Sequence, residues 1–306
     1  MITKRFQIQS DGKDKVFLGP WIGEFGWELL YWQGWVRKFI ADNPNKYIIA
    51  ASYEGHYPFY ESAHEFWALP DFFTTKGYEM SCARVYARDD AEKAESATTS
   101  RQMELEFETL LEGVKIISPQ EAFRQGFIHF REPSYNQKLI ALKPSSDAVK
   151  KRDSLLVNKE PYVVIMARKR CLGAGKNWDD KKWEKLANLL ISKLDLHIVI
   201  GGRKGSSALE GYSGDKILNL MEYGDSELYT DLEIAFMKDA KISIGSEGGT
   251  LLFSLLCGCP TFGFGRQVSK ERVEVRENPL RTRVEYYPIR DPDISELFDK
   301  IQEFIK

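Results

Sequence analysis

The segment from Lys241 to Gly263, KISIGSEGGTLLFSLLCGCPTFG, constrains the fold of this chain more than any other part of it. An apolar strand is predicted at 242–244, followed by a glycine-rich turn at 245–250 and an apolar helix at 251–257. Glycine and proline then end the helix, and the next strand begins at Thr261. Strand, turn, helix and strand form one βαβ unit, and ligands bind such sheets at the carboxyl ends of the strands. The turn is therefore a predicted ligand site.

The composition of this turn indicates which kind of ligand it would bind. Glycines let a ligand approach main-chain N–H groups, and a helix amino terminus favours an anion. A carboxylate in the same turn would repel a phosphate, but it suits the hydroxyls of a ribose or hexose. We therefore expect a pocket for a sugar or a nucleotide. Its candidate residues are Ser246, Glu247, Gly248, Gly249 and Thr250.

Bulk composition narrows the class of protein. A chain of 306 residues with 43% hydrophobic and 29% charged residues is typical of a soluble globular protein with two α/β domains. A net charge of −2 makes nucleic acid an unexpected partner. The four cysteines lack metal-ligand spacing, and we interpret them as reduced structural thiols. The amino terminus has no apolar core of the signal-peptide type, so the expected compartment is the cytoplasm.

The order of predicted elements favours an α/β fold with two Rossmann-like domains facing a cleft. From residue 161 onward, strands alternate with helices at the spacing of a parallel, doubly wound sheet, and the first half repeats this order more loosely. A stretch with two prolines and no clear period at 134–144 marks the boundary. The predicted divisions are an acceptor-side domain at 1–144, a nucleotide-sugar-binding domain at 145–285, and a tail and helix at 286–306 that pack back across the domains.

Two loops that follow predicted strands of the second half have ligand-binding composition. The loop 168–178 carries four cations within nine residues, as a diphosphate needs, although a solvated basic turn has the same composition. The loop 201–205 is a second candidate, with an ordinary left-handed turn as the alternative. Glu222, after a predicted short strand, is either a further rim carboxylate or a solvated one. The candidates in the two loops are Arg168, Arg170, Lys176, Gly202 and Arg203.

In the first half, acidic and aromatic residues open the first long helix. Glu28 is either a first-turn stabiliser of the helix or a general base surrounded by aromatic side chains, and Glu24 is the alternative base. Aromatic faces stack on sugar rings, so Trp27 and Tyr31 are candidates for contact with an acceptor. The candidates that follow the second strand are His56 and Tyr57. No set of metal ligands is recognised.

These motifs resemble GT-B glycosyltransferases, most closely the lipopolysaccharide heptosyltransferases. Lys176-Asn177-Trp178 is similar to the family's basic loop and helix start, and Glu247-Gly248-Gly249 through Pro260 is similar to its acidic glycine turn, helix and proline. The resemblance implies that Lys176 contacts phosphate, that Glu222 and Glu247 hold ribose or base, and that Glu28 is the base. The chain departs from the family in having Glu where Asp is usual, and Gly-Gly-Thr in place of a turn that ends in His.

The sequence thus predicts transfer of a sugar from a nucleotide-sugar to a carbohydrate acceptor of the glycan or lipopolysaccharide type. Glu28 would deprotonate the acceptor, and Arg168, Arg170 and Lys176 would neutralise the diphosphate without an obligatory metal. The nucleotide-sugar is a co-substrate, and no further cofactor is expected. A lipid-linked acceptor would bring the protein into peripheral contact with a membrane. The alternatives are a nucleotide-sugar epimerase or hydrolase on the same fold, and a protein that binds a nucleotide or glycan without turnover.

Overall fold

The chain divides into two units, Met1–Leu139 and Ile140–Lys306. The computed structural model describes residues 3–7, 12–69, 107, 111, 113–129, 132, 135–156, 160–169, 177–224, 226–265 and 268–306. The predicted boundary lies a few residues later, after residue 144. The sequence between residues 71 and 101 is poorly periodic and carries no prediction, and it lies outside the described residues. The sequence predicts a helix at 102–111, of which only residues 107 and 111 are described.

The first unit is built on a sheet of five described strands in the order β1-β4-β3-β2-β5. All neighbours pair in parallel except β1, which is antiparallel to β4. The strands are β1 (Thr3–Gln7), β2 (Lys15–Leu18), β3 (Tyr47–Ser52), β4 (Glu65–Ala68) and β5 (Lys115–Ile117). The described helices are α1 (Phe25–Trp27), α2 (Gln33–Asp42) and α3 (Pro119–Arg124). The strand order changes direction between β2 and β5, so the loop after β2 lies at a topological switch point.

A five-residue π-turn, Glu28–Trp32, connects α1 to α2. The N–H of Gln33 bonds to the carbonyl of Glu28, which is the i to i+5 pattern of a π-turn. The Gln33 side chain donates to the carbonyl of Leu29 over 3.0 Å, and Arg37 in turn donates to Gln33 over 2.9 Å. The aromatic periodicity predicts one continuous helix here, and the π-turn inserts an extra residue into it.

The second unit has a sheet of six described strands, all parallel, in the order β11-β10-β9-β6-β7-β8. The chain runs outward from β6 in one direction and then from β9 in the other, which is the doubly wound Rossmann order. The strands are β6 (Tyr162–Met166), β7 (His197–Ile200), β8 (Ile217–Asn219), β9 (Ser243–Ser246), β10 (Thr261–Phe264) and β11 (Val284–Tyr287). The helices are α4 (Ser146–Leu155), α5 (Asp180–Leu194), α6 (Tyr229–Asp239), α7 (Gly249–Leu256) and α8 (Ile294–Ile305).

The carboxyl-terminal residues complete the second unit. β11 pairs with β10, and the apolar face of α8 joins the core formed by α5 and the sheet through Leu297, Phe298, Ile301 and Phe304. This arrangement differs from the predicted separate segment at 286–306, because an apolar helix face of this size is buried against the nearest sheet layer. The predicted α/β class is confirmed in both units.

Candidate functional site

The crevice between β6 and β9 is the switch point of the second sheet, and the turn after β9 forms one of its sides. Gly248 has a φ of 136°, which only glycine adopts readily, and α7 begins directly after it. The first N–H groups of a helix have no acceptor within the helix, so those of Gly249 and Thr250 are directed at whatever lies before α7. The turn predicted at 245–250 is therefore confirmed as a strand-to-helix turn at this crevice.

Two hydroxyl groups in this turn are buried without a hydrogen-bond partner. They are the Oγ of Ser246, a residue only 4% exposed, and the Oγ1 of Thr250. Most buried polar groups in proteins are hydrogen-bonded, and the exceptions call for an explanation such as a bound ligand. These hydroxyls and the adjacent helix N–H groups are the kinds of donors that a phosphate or a sugar hydroxyl would accept from.

Glu247 occupies the same turn but its carboxylate lies over the ends of β10 and β11. The Tyr286 hydroxyl donates to Oε2 over 2.8 Å, and both residues are buried. Gly265 makes room for the carboxylate, since a Cβ there would lie 2.4 Å from Oε2. The main-chain N–H of Glu247 bonds to the carbonyl of Phe264 over 2.8 Å. Glu247 is thus held in one orientation by Tyr286 and by the space at Gly265, neither of which is among the predicted site residues.

The basic loop after β6 is described only at its two ends. Arg168 is half-buried and its main chain forms a bridge with Ser207, while Lys169 forms an exposed ion pair with Asp180 at 2.5 Å. Arg170 and Lys176 lie outside the described residues, so their predicted contacts with a diphosphate stay predictions. The loop nevertheless leaves β6 at the crevice that it was predicted to border.

The turn after β7 is engaged by the protein itself. Glu233 of α6 accepts from the N–H of Gly202 over 2.8 Å, and the hydroxyl of Tyr229 donates to the Gly202 carbonyl. The main chain of Gly202, predicted to bind the donor, therefore satisfies its hydrogen bonds within the second unit. Burial raises the pKa of Glu233 to about 7, opposed by the Gly202 N–H and by the charge of the exposed Arg203.

Glu222 is exposed in a short 3₁₀ turn, Leu220–Tyr223, after the edge strand β8. Between β8 and β9 lie β7 and β6. At the usual spacing of neighbouring strands, the ends of β8 and β9 are roughly 14 Å apart. Glu222 and Glu247 therefore both follow carboxyl ends of strands of this sheet, but they are too far apart to bind the same group of a ligand.

In the first unit, the carboxylate of Glu28 is fully buried and bound by three side chains. The exposed fraction of Glu28 is 0%, and Ser52 and Tyr60 both donate hydroxyl hydrogen bonds to Oε1. His56 Nδ1 lies 2.7 Å from Oε2. Burial, together with the adjacent Glu28 carboxylate, raises the pKa of Tyr60 well above its usual value, so its hydroxyl remains a donor. Two of these three partners, His56 and Tyr60, carry aromatic rings, and they contact the carboxylate through their polar atoms.

Glu24, the alternative base, precedes α1 and is half-buried. Its side chain makes no capping hydrogen bond to α1, and its carbonyl accepts from the N–H groups of Trp27 and Glu28. The Tyr53 hydroxyl donates to the carbonyl of the preceding Gly23 over 3.2 Å, which fixes this end of the loop after β2.

The predicted acceptor residues belong to two aromatic groups of the first unit. The rings of Trp27 and Tyr31 are 5.5 Å apart, and Phe123 of α3 packs against both. His56 is instead surrounded by three other rings, those of Phe25, Tyr53 and Phe59, and its neighbour Tyr57 is half-buried. Whether the four residues contact an acceptor together stays a prediction.

Three solved structures with a similar fold are glycosyltransferases. The ADP-heptose lipopolysaccharide heptosyltransferase II of E. coli superposes with a TM-score of 0.58 at 13% identity, covering 95% of this chain and 98% of that one. A family 9 glycosyl transferase from Veillonella parvula gives 0.54 at 10% identity, covering 97% and 91%. The E. coli heptosyltransferase WaaC with ADP gives 0.52 at 12% identity, covering 95% and 98%.

The chain has a GT-B glycosyltransferase fold. At 10–13% identity these likenesses extend to the fold alone, and the sequence matches no protein-family model and no curated protein. The resemblance drawn from the glycine turn and the basic loop is thus confirmed for the fold. Among the described residues, no helix has both the length and the hydrophobicity of a membrane span. In the same part of the chain, no group of three or more His, Cys, Asp or Glu residues has the arrangement of a metal site.

Proposed function

We propose that this chain transfers a sugar from a nucleotide-sugar donor to a hydroxyl of a carbohydrate acceptor of the glycan or lipopolysaccharide type. The observation that carries the proposal is the pair of buried, unpartnered hydroxyls of Ser246 and Thr250 at the start of α7, beside the switch point of the second sheet. Phosphates bind in such places because helix N–H groups and the helix dipole favour an anion there. The fold shared with structures of ADP-heptose-dependent enzymes supports a donor of this class.

The proposed donor site divides the nucleotide-sugar among the strand ends of the second sheet. The diphosphate lies at the crevice, where the N–H groups of Gly249 and Thr250 and the cations Arg168, Arg170 and Lys176 neutralise it. Glu247 and Glu222 lie some three strands apart, so each binds hydroxyl groups at a different end of the donor. The cations stabilise the departing diphosphate, a role that a metal ion has in other enzymes, so the reaction is proposed to need no metal.

The acceptor is proposed to bind the first unit beside α1. A general base must come within hydrogen-bond reach of the acceptor hydroxyl. Glu28 has no exposed surface, whereas Glu24 is half-buried at the start of α1. We therefore assign the proton transfer to Glu24 and assign to Glu28 the task of holding the segment that carries His56 and Tyr57. Trp27 and Tyr31 would pack against the acceptor sugar.

The reaction is proposed to take place in the cytoplasm. Cys257 and Cys259 are both buried as free thiols, and burial raises the pKa of Cys259 to about 12, so it remains an unreactive thiol. Free buried cysteines are typical of a reducing compartment. An acceptor linked to a lipid would place the protein at a membrane surface.

Nucleotide binding is the first test of this proposal. Melting curves would be recorded with ADP, UDP, GDP, CMP and dTDP, with and without magnesium. A nucleotide at 100 times its dissociation constant adds about 2.7 kcal/mol of stability, which raises the melting temperature by a few degrees. We expect one nucleotide to do so regardless of magnesium.

The variant that tests this site is Thr250→Val, which replaces the unpartnered hydroxyl by a methyl group of similar size. Because this hydroxyl has no partner within the protein, the variant should melt at or above the wild-type temperature without ligand. It should, however, lose about half of the shift that the nucleotide causes, since a tenfold weaker affinity leaves about 1.4 kcal/mol of stabilisation at the same nucleotide concentration. If no nucleotide moves the wild-type melting curve, the turn after β9 is structural and the proposed donor site is overturned.

Gly265→Ala tests the assigned role of Glu247. The new methyl group would lie 2.4 Å from Oε2, so the carboxylate must leave its position beside Tyr286. We expect the affinity for the nucleotide-sugar to fall about tenfold, the loss that one charge-assisted hydrogen bond represents. Isothermal titration measures it. Gly214→Ala, where the methyl meets only the end of the Ile217 side chain at 3.3 Å, is the control. Wild-type affinity in Gly265→Ala would remove Glu247 from the donor site.

A further inference from the structure

The buried carboxylate of Glu233 holds one peptide group of the turn after β7. Glu233 accepts the N–H of Gly202, and Tyr229, one helical turn earlier on α6, donates to the carbonyl of the same residue. The Tyr229 hydroxyl also lies 3.4 Å from Glu233 Oε1. Both polar atoms of Gly202 are therefore fixed from a single helix. The fit is close, since a Cβ on the neighbouring Gly201 would lie 3.0 Å from the same carboxylate oxygen and 2.5 Å from Met166 Sδ.

The segment that begins at Gly202 supports the basic loop after β6. The N–H of Lys169 bonds to the carbonyl of Ser206 over 2.8 Å, and the N–H of Ala208 bonds to the carbonyl of Ala167 over 2.7 Å. These bonds align Arg168 opposite Ser207. The main chain around Arg168 is thus held by the turn, and the turn is held by Glu233.

The charged groups around Gly202 favour an anionic ligand at the carboxyl ends of the strands, and not a separate site among the buried groups of α6. Arg203 is exposed directly after the clamped peptide, and its Nη2 lies 3.4 Å from Thr230 Oγ1 at the first turn of α6. Glu233 and Tyr229 themselves are buried. Arg203 is therefore exposed at the carboxyl end of β7 and Arg168 half-buried at that of β6, while Glu233 and Tyr229, which hold the main chain between them, are buried.

We propose that Glu233, assisted by Tyr229, is a positioning residue of the donor site, which fixes the turn after β7 so that Arg203 and Arg168 meet the diphosphate of the donor. This inference rests on the proposed function. Glu233 itself touches no substrate, because its carboxylate is beneath the main chain of Gly202. Its effect is to set the position of two cations before the donor arrives, so that binding does not have to order them.

The test measures the affinity of nucleoside diphosphates by isothermal titration with ADP, UDP and GDP as probes. We expect Glu233→Ala to weaken binding about tenfold, which corresponds to the loss of one charge-assisted hydrogen bond. Glu233→Gln should recover most of this affinity, because an amide oxygen still accepts from the N–H of Gly202. Tyr229→Phe, which keeps the ring, should weaken binding in the same direction by a smaller factor, and it serves if the alanine variant does not fold.

Asp231→Ala is the matched control. Asp231 is buried, like Glu233, and lies on the same helix. Its carboxylate, however, accepts from the N–H of Ser145 at the start of α4, not from the turn after β7. This variant should melt at a lower temperature and still bind the probe with wild-type affinity. If Asp231→Ala weakens binding as much as Glu233→Ala, or if Glu233→Ala and Tyr229→Phe bind as tightly as the wild type, this inference is overturned while the donor site stands. A wild-type protein that binds none of the probes would overturn both.

Discussion

Replacing Glu24 by Gln is expected to slow sugar transfer by about 10²- to 10⁴-fold while the melting temperature stays at the wild-type value. Glu24, which we propose as the base, lies at the start of α1 and is half-buried, whereas Glu28 has no exposed surface. Gln has the same shape and still accepts a hydrogen bond, but it cannot take a proton. Turnover is measured as release of nucleoside diphosphate in the presence of acceptor.

The decisive comparison for this prediction is the donor affinity of the same variant. Glu24 belongs to the first unit, so Glu24→Gln should bind the nucleotide as tightly as the wild type and lose only the rate of transfer. A variant that transfers sugar at the normal rate would exclude Glu24 as the base. Rapid consumption of donor by the wild type with no acceptor present would instead favour a hydrolase or an epimerase.

Replacing Glu28 by Ala is expected to destabilise the first unit by about 3–5 kcal/mol, as is typical when one partner of a buried polar cluster is removed. The Ser52 and Tyr60 hydroxyls would lose their acceptor, and His56 would lose the carboxylate beside Nδ1. All three lie in or after β3, so the turn that carries Tyr57 would loosen as well. A drop in melting temperature of roughly ten degrees is expected.

Glu28→Gln separates the structural role of Glu28 from a catalytic one. The amide keeps one acceptor oxygen and the same volume, so the loss of stability should be smaller than in Glu28→Ala, and the folded variant should retain transfer. A Glu28→Gln protein that melts like the wild type but no longer transfers sugar would return the role of base to Glu28.

The sequence predicts the second unit well because its strands are short apolar runs with glycine-rich turns and helices between them. The apolar segments at 162–167, 196–200 and 242–244 predict strands, and each overlaps a strand of the structure whose ends agree within about two residues. In the first unit, β4 is missing from the prediction. Glu65–Ala68 has only four residues and lies within a long aromatic stretch, where no period separates a strand from a loop.

Residues of the candidate site can be predicted where their chemistry follows from local sequence. Residues that reach it through contacts distant in the chain are missed. A glycine turn after a strand identifies Ser246 through Thr250. Glu233 and Tyr286 contact the site from 31 and 39 residues away in the chain. For Glu233 a signal exists, since a carboxylate between Leu232 and Ile234 in an apolar helix needs a buried partner. Nothing local distinguishes Tyr286.

The π-turn at Glu28–Trp32 has a consequence for any comparison of this chain with its structural neighbours. One residue added to a helix of 3.6 residues per turn rotates everything after it by about 100°. A gapless alignment of this helix with a regular α-helix can therefore be correct before the turn or after it, but not along both parts. A count from the far end of α2 back to Glu28 crosses the inserted residue. Equivalences for Glu24 and Glu28 must be drawn from the β2 end of the loop, where the register is continuous with the sheet.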